Sequence, residues 1–175
     1  VETVELRGVL TKNFLCVRDA DVLVVSSAIS KTNPEQLEAE DKGLKIVKRA
    51  EVLAWIMGRS KNRIAVAGTH GKTTTTAMLA KVLDAARLEP SYLIGCDMDY
   101  IDGNARLGNG NYCVAEADES DSSFLLLSPT AEVITNIEAD HMEHFGSMEE
   151  LLRTFREFSQ RISPDGFAVM DGTDK

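Results

Sequence analysis

The residues best suited to chemistry lie in RIAVAGTHGKTTTTAMLAKVL, residues 63–83. A run of small apolar residues ends in a glycine turn, followed by Lys72, four threonines and a segment of apolar periodicity. Threonine is a mediocre helix former, because its branched side chain loses rotamer freedom there. Four in succession at a helix start point to a use for the hydroxyls. GTHGKTT, after a buried strand and before a helix, reads as a phosphate-binding loop. Its glycines let successive backbone N–H groups turn inward as an anion nest. The helix start adds about half a positive charge. Lys72 supplies a full charge for β- and γ-phosphates, the Thr73 hydroxyl suits Mg²⁺, and Thr74 suits phosphate. Thr75 and Thr76 read as tolerated helix residues. The general Walker pattern has a glycine where Val66 stands, so this is a variant form. The bland alternative, a tight turn with a surface lysine, does not account for GKT falling between strand and helix.

Two other stretches carry charge at strand ends. YCVAEADESD puts Glu116, Asp118, Glu119 and Asp121 within six residues. In a strand, Glu116 and Asp118 point the same way. Glu119 and Asp121 read as a solvated acidic loop. Glu116 interrupts an apolar strand close to its end, and a carboxylate beside a phosphate loop is most simply a Mg²⁺ ligand, direct or through water. VITNIEADHMEHF offers Asp140 and His141 after a strand, with His144 one helical turn later. The HxxH spacing lacks a third and fourth zinc ligand, so His144 reads as an ordinary loop residue. His141 is a candidate ligand for a second metal near the γ-phosphate. Asn136 either orients loop backbone or binds the nucleotide.

Positioning these residues requires a sheet. DVLVVSS (21–27) reads as a strand buried on both faces. Asn33, Pro34 and Gly43 bracket a helix, LKIVK is a strand, and AEVLAWIMG a short helix. SKNR (60–63) is a polar break suited to a domain boundary. Strands follow at 63–67, 91–95, 111–117 and 131–137, with a helix from about Lys72 to Arg87 and a glycine-rich loop through Gly110. Ser147 and Glu150 form a capping-box pattern ahead of Leu151, Leu152, Phe155, Phe158 and Ile162 at helical spacing. DGFAVM is a last strand. Such βα alternation implies a parallel sheet. Ligands of open α/β sheets bind beyond the carboxyl ends of the strands, where GTHGKTTTT, EADESD and NIEADH would meet.

The totals suit this class. The chain has 175 residues, 43% hydrophobic and 27% charged, with net charge −9. Acidity argues against a nucleic-acid partner and leaves room for a nucleotide. Cys16, Cys96 and Cys113 are odd in number and form no CxxC, as expected of reduced residues in a cytoplasmic protein. No apolar run approaches a membrane span, and no signal peptide is legible.

Taken together, GTHGKTTTT, NARLGNGNYCVAEADESDSSFL and VITNIEADHM resemble the Mur ligases, nearest the branch that adds L-alanine. DVLVVSSAISKTNPE and IVKRAEVLAWIM resemble the end of that family's N-terminal domain. The resemblance implies an α/β chain: residues 1–60 as the end of a Rossmann-like UDP-sugar-binding domain, and residues 61–175 as the first part of a parallel-sheet ATP-binding domain. It implies an ATP- and Mg²⁺-dependent ligase that phosphorylates the lactyl carboxylate of UDP-N-acetylmuramate and passes the acyl group to L-alanine. Gly68, Thr69, His70, Gly71, Lys72, Thr73 and Thr74 would cradle the phosphates. Lys72, Glu116 and His141 would be catalytic, with Thr73 and Glu116 on one metal and His141 on the second. Ser26, Ser27, His70, Asn104 and Arg106 are candidates for the UDP-sugar side. Several Mur ligases bridge the second metal with a carbamoylated lysine; no lysine stands between His141 and Lys175, so that device is expected to be absent. Against the family, the glycine-rich first turn and the C-terminal domain would lie outside these residues, so the chain alone is expected to bind phosphate weakly and not to turn over. The competing readings are the ligase that recycles murein tripeptide, a non-catalytic nucleotide-binding module, and a generic P-loop ATPase.

Overall fold

The computed structural model describes residues 17, 20–97 and 103–172. Cys16 and part of the glycine-rich loop lie outside the described residues. Two compact units divide between Val52 and Leu53. In the first, strands β1 (Val22–Val25) and β2 (Lys45–Lys48) pair in parallel, with Leu23 opposite Ile46, and helix α1 (Pro34–Asp41) connects them. Helix α1 starts as its sequence dictates. The Asn33 side chain accepts a hydrogen bond from the Glu35 amide at 2.9 Å, and Pro34 takes the first helical position. The expectation that β1 is buried on both faces is corrected: Val22 is 42% and Val24 37% exposed. Among the described residues this sheet has two strands, so β1 lacks the cover its apolar run suggested.

Helix α2 (Arg49–Gly58) carries the chain on to the second unit, a six-stranded sheet. Its strands are β3 (Asn62–Ala67), β4 (Ser91–Leu93), β5 (Ala105–Arg106), β6 (Tyr112–Glu116), β7 (Ala131–Ile134) and β8 (Phe167–Met170), in the order β5-β4-β6-β3-β7-β8. All neighbours are parallel except β4 and β5. Val66 on β3 stands opposite Glu116 on β6 and Val133 on β7. The strand ends that precede the three charged stretches therefore share one sheet edge, as predicted.

Both faces of the central strands β3 and β6 are covered, which is why they read as apolar runs, whereas edge strand β8 is exposed along its length. Successive β3 residues face opposite ways. Val66 packs with Val114, Tyr92 and the Ala77 and Ala80 side chains of helix α3 (Lys72–Ala85). Ala65 and Ala67 pack with Cys113, Phe124 and the Leu151, Phe155 and Phe158 side chains of helix α5 (Met148–Ser159). Phe124 stacks on Phe158 with ring centroids 4.5 Å apart. The capping box of α5 is half formed. Ser147 Oγ accepts from the Glu150 amide at 3.2 Å, while the Glu150 carboxylate turns to Arg153. Ile162 lies beyond the helix end. Three short elements depart from expectation: antiparallel β5 within the glycine-rich loop, a 3-10 turn at Ser123–Leu126, and helix α4 (Met142–Phe145), which carries His144 where a loop was expected. No helix among the described residues is long and apolar enough to cross a membrane.

Candidate phosphate and metal site

The loop between β3 and α3 is shaped by contacts with the residues after β7. Gly68 has φ 125°, and a Cβ there would stand 2.2 Å from Thr135 Oγ1 and 2.8 Å from Asn136 O. Only glycine fits such a position. Gly71, at φ 82°, is the left-handed residue from which α3 starts. Asn136 grips the loop at both polar atoms of its side chain: Oδ1 accepts from the His70 amide at 2.9 Å, and Nδ2 donates to His70 O at 3.1 Å. The Thr69 amide donates to Asn136 O at 3.0 Å, and Thr135 Oγ1 donates to His70 O at 2.6 Å. Of the two roles considered for Asn136, this geometry is that of loop orientation.

These bonds change which amides face a ligand. Those of Thr69 and His70 are engaged with Asn136. The α3 ladder begins with the Thr75 amide donating to Gly71 O at 3.0 Å. The amides of Gly71, Lys72, Thr73 and Thr74 precede that ladder and are the donors a helix start offers to an anion.

Lys72 Nζ curls back over the loop, donating to Gly68 O at 2.6 Å and Thr69 O at 3.3 Å. Its third partner is Glu119 Oε1 at 2.9 Å. The solvated-loop reading of Glu119 is thereby corrected. Glu119 is 2% exposed, and its Oε2 has no hydrogen-bond partner. Burial pushes its carboxyl above the ordinary range, and the bond from Lys72 opposes that shift. Phe124, in the 3-10 turn, is buried in the core and draws the acidic stretch inward with it. Asp118 and Asp121 cap the backbone amides of Ser120 and Ser123.

Thr73 and Glu116 come together as expected, with Thr73 Oγ1 and Glu116 Oε2 3.2 Å apart. Glu116 Oε1 also accepts from the Gly95 amide at 2.5 Å. His141 stands after β7 in a left-handed conformation, φ 52°. Its nearest charged groups are Asp140 at 3.9 Å and Glu143 at 3.8 Å. Among the described residues, no group of three or more His, Cys, Asp or Glu side chains forms a metal cluster. Thr73 and Glu116 are brought together, and the charged groups within 4 Å of the His141 ring are Asp140 and Glu143. His144 Nε2 lies 3.0 Å from Ser122 Oγ, a link from α4 to the acidic stretch.

The remaining candidates lie on separate elements. His70 Nε2 is 3.9 Å from Glu138 Oε2, and both side chains are exposed. Asn104 O accepts from the Ile94 amide at 2.8 Å. Arg106 donates to Asp84 at 2.6 Å and lies over the Tyr92 ring. Asp84 is in the last turn of α3, about 18 Å along the helix from Lys72 by its rise per residue, so Arg106 stands away from the loop that precedes α3. In the first unit, Ser26 and Ser27 lie in the turn after β1, where Ser26 Oγ accepts from the Ala28 amide at 3.3 Å.

Comparison with known proteins bears on this arrangement. A family model described as the Mur ligase middle domain matches residues 66–175. The chain belongs to the Mur ligase family. A second model, described as Mur ligase family, catalytic domain, matches residues 10–61. This Mur ligase chain is 52% identical over 151 residues to the UDP-N-acetylmuramate–L-alanine ligase of Pelotomaculum thermopropionicum, covering 86% of the chain and 32% of that relative. Among solved structures, it is similar to the UDP-N-acetylmuramate–alanine ligase of Thermotoga maritima at TM-score 0.80 and 36% identity, over 89% of the chain and 36% of that structure. It is also similar to the UDP-N-acetylmuramate:L-alanyl-γ-D-glutamyl-meso-diaminopimelate ligase of Neisseria meningitides at TM-score 0.80 and 28% identity, over 89% of the chain and 53% of that structure. The chain spans about a third of the length of the curated relatives it matches. The family resemblance read from the three motifs is borne out.

Proposed function

We propose that these residues form the phosphate-binding part of an ATP-dependent ligase that joins L-alanine to UDP-N-acetylmuramate. The observation that carries the reading is the convergence, at one sheet edge, of the α3 start, Lys72 and the Thr73–Glu116 pair. The likeness to named alanine-adding ligases over most of the chain supports the choice of substrates. In this reading residues 1–60 belong to the UDP-sugar side, with Ser26, Ser27, His70, Asn104 and Arg106 as its candidate contacts, and residues 61–175 to the ATP side.

A carboxylate is a poor electrophile, and ATP supplies the means to activate it. The γ-phosphoryl group passes to the lactyl carboxylate and ADP leaves. The amine of L-alanine then attacks the acyl carbon and phosphate leaves. Catalysis of the first step is mainly positioning and charge stabilisation. The amides of Gly71, Lys72, Thr73 and Thr74 hold phosphate oxygens, and Lys72 offsets the charge shared between donor and acceptor. Asn136 and Thr135 keep the loop in the conformation that aims those amides outward. Thr73 and Glu116 present hard oxygen atoms 3.2 Å apart, a donor set that fits Mg²⁺, which usually takes one or two protein ligands and completes its shell with water and phosphate oxygens. Bound there, Mg²⁺ would neutralise phosphate charge. His141 is proposed for the second metal on family grounds.

The fold alone does not separate the alanine-adding from the tripeptide-recycling ligase, since both neighbours reach TM-score 0.80; sequence identity, 36% against 28%, favours the former. The test is ADP formation by the protein that carries these residues, given ATP, Mg²⁺, UDP-N-acetylmuramate and L-alanine. The expected result is turnover that requires both substrates and is lost in Lys72→Ala. ADP formation independent of UDP-N-acetylmuramate, or retained in Lys72→Ala, would overturn the reading.

A further inference from the structure

The Lys72 ammonium has three protons to donate, and three acceptors surround it: Gly68 O, Thr69 O and Glu119 Oε1. A phosphate oxygen arriving at Lys72 must therefore replace one of them. Two are backbone carbonyls of a loop pinned by Thr135 and Asn136, and they cannot withdraw unless the loop opens. Glu119 is the side chain among the three and the one that can carry negative charge. It is buried, its second oxygen has no partner, and such a group is tolerated because its cation holds it. A phosphate bound at Lys72 would face this carboxylate at close range, where shielding from water makes like charges repel strongly.

We propose that Glu119 is a positioning residue for Lys72: its carboxylate holds the ammonium in place of a phosphate oxygen, and nucleotide binding exchanges one anion for the other. This rests on the reading of the loop as a phosphate site. The exchange makes Lys72 selective. A polyphosphate that also engages the amides of Gly71 to Thr74 displaces the carboxylate, whereas a small anion touching Lys72 alone does not.

The test is calorimetric titration of ADP with Mg²⁺ into the protein that carries this chain, in four forms: unaltered, Glu119→Gln, Lys72→Met, and the double variant. Glutamine keeps the size and the acceptor but not the charge. Glu119→Gln is expected to tighten ADP about tenfold, the scale by which an ionised partner holds the lysine more strongly than a neutral acceptor does. Lys72→Met is expected to weaken ADP about tenfold or more. In the Lys72→Met background the gain from Glu119→Gln should fall below about twofold, because the effect runs through the lysine. Unchanged or weaker binding in Glu119→Gln, alongside weakened Lys72→Met, overturns the exchange and leaves the phosphate site standing. A gain that persists in full without Lys72 also overturns it, since the carboxylate then acts on the ligand directly. Lys72→Met binding as tightly as the unaltered protein refutes the phosphate site and this inference together. Should Glu119→Gln fail to fold, Glu119→Met, which fills a similar volume without the charge, is judged by the same outcomes.

Discussion

Glu132 offers a measurable consequence of burying a carboxyl group away from the site. It lies on β7 with 0% exposure. One oxygen accepts from Ser159 Oγ at 3.0 Å, and the other has no partner. Burial pushes its pKa from 4.5 up to about 7, opposed by the Ser159 bond. The folded state therefore favours the protonated, neutral form. Below the unfolded value both states hold the proton, and this group adds no pH dependence. As pH rises from about 4.5 to about 7, the unfolded chain releases its proton while the folded one retains it, so stability falls. Above about 7 the loss is complete, on the order of 3 kcal/mol. Glu132→Gln keeps the shape and the Ser159 acceptor but cannot ionise. It should match the unaltered protein to within about 1 kcal/mol near pH 4.5 and exceed it by up to about 3 kcal/mol at pH 8. Urea unfolding followed by circular dichroism at the two pH values, compared through the midpoint at constant slope, measures the difference. An equal gap between the two proteins at both pH values would refute the reasoning.

Three further predictions concern the loop and its supports. Gly68→Ala places a methyl group 2.2 Å from Thr135 Oγ1 at φ 125°; it should cost about 1–3 kcal/mol and abolish ADP binding, and a thermal melt with calorimetry would show otherwise if the loop adapts. Asn136→Ala removes both side-chain bonds to His70 and should weaken ADP about tenfold with the sheet intact by circular dichroism; unaltered affinity would deny it the orienting role. Ser147→Ala deletes the N-cap of α5 and should cost about 1 kcal/mol in urea unfolding, with no change in ADP affinity.

How much was legible in the sequence follows the range of the forces involved. The β3–loop–α3 unit was readable because its signals are local: an apolar run, glycines that permit left-handed backbone, and a lysine at the helix start. Glu116 was readable because a carboxylate ending an apolar strand is conspicuous, and its partner Thr73 belonged to a motif. Glu119 was misread because its burial depends on the Ser123–Leu126 turn anchoring Phe124 in the core, and on a lysine 47 positions away. The apolar SFLLL segment directly after the acidic cluster was the available clue that this stretch turns inward. Elements β5 and α4, at two and four residues, are too short to show a period. The exposure of β1 depends on what covers it, which an apolar run cannot reveal.

The most direct test of the account is a crystal structure of the protein that carries these residues, with Mg²⁺ and a non-hydrolysable ATP analogue. The account predicts phosphate oxygens on the amides of Gly71 to Thr74, Lys72 turned from Glu119 to the terminal phosphates, and the metal held by Thr73 Oγ1 and Glu116. Phosphates bound away from the start of α3, with Lys72 still on Glu119, would contradict it.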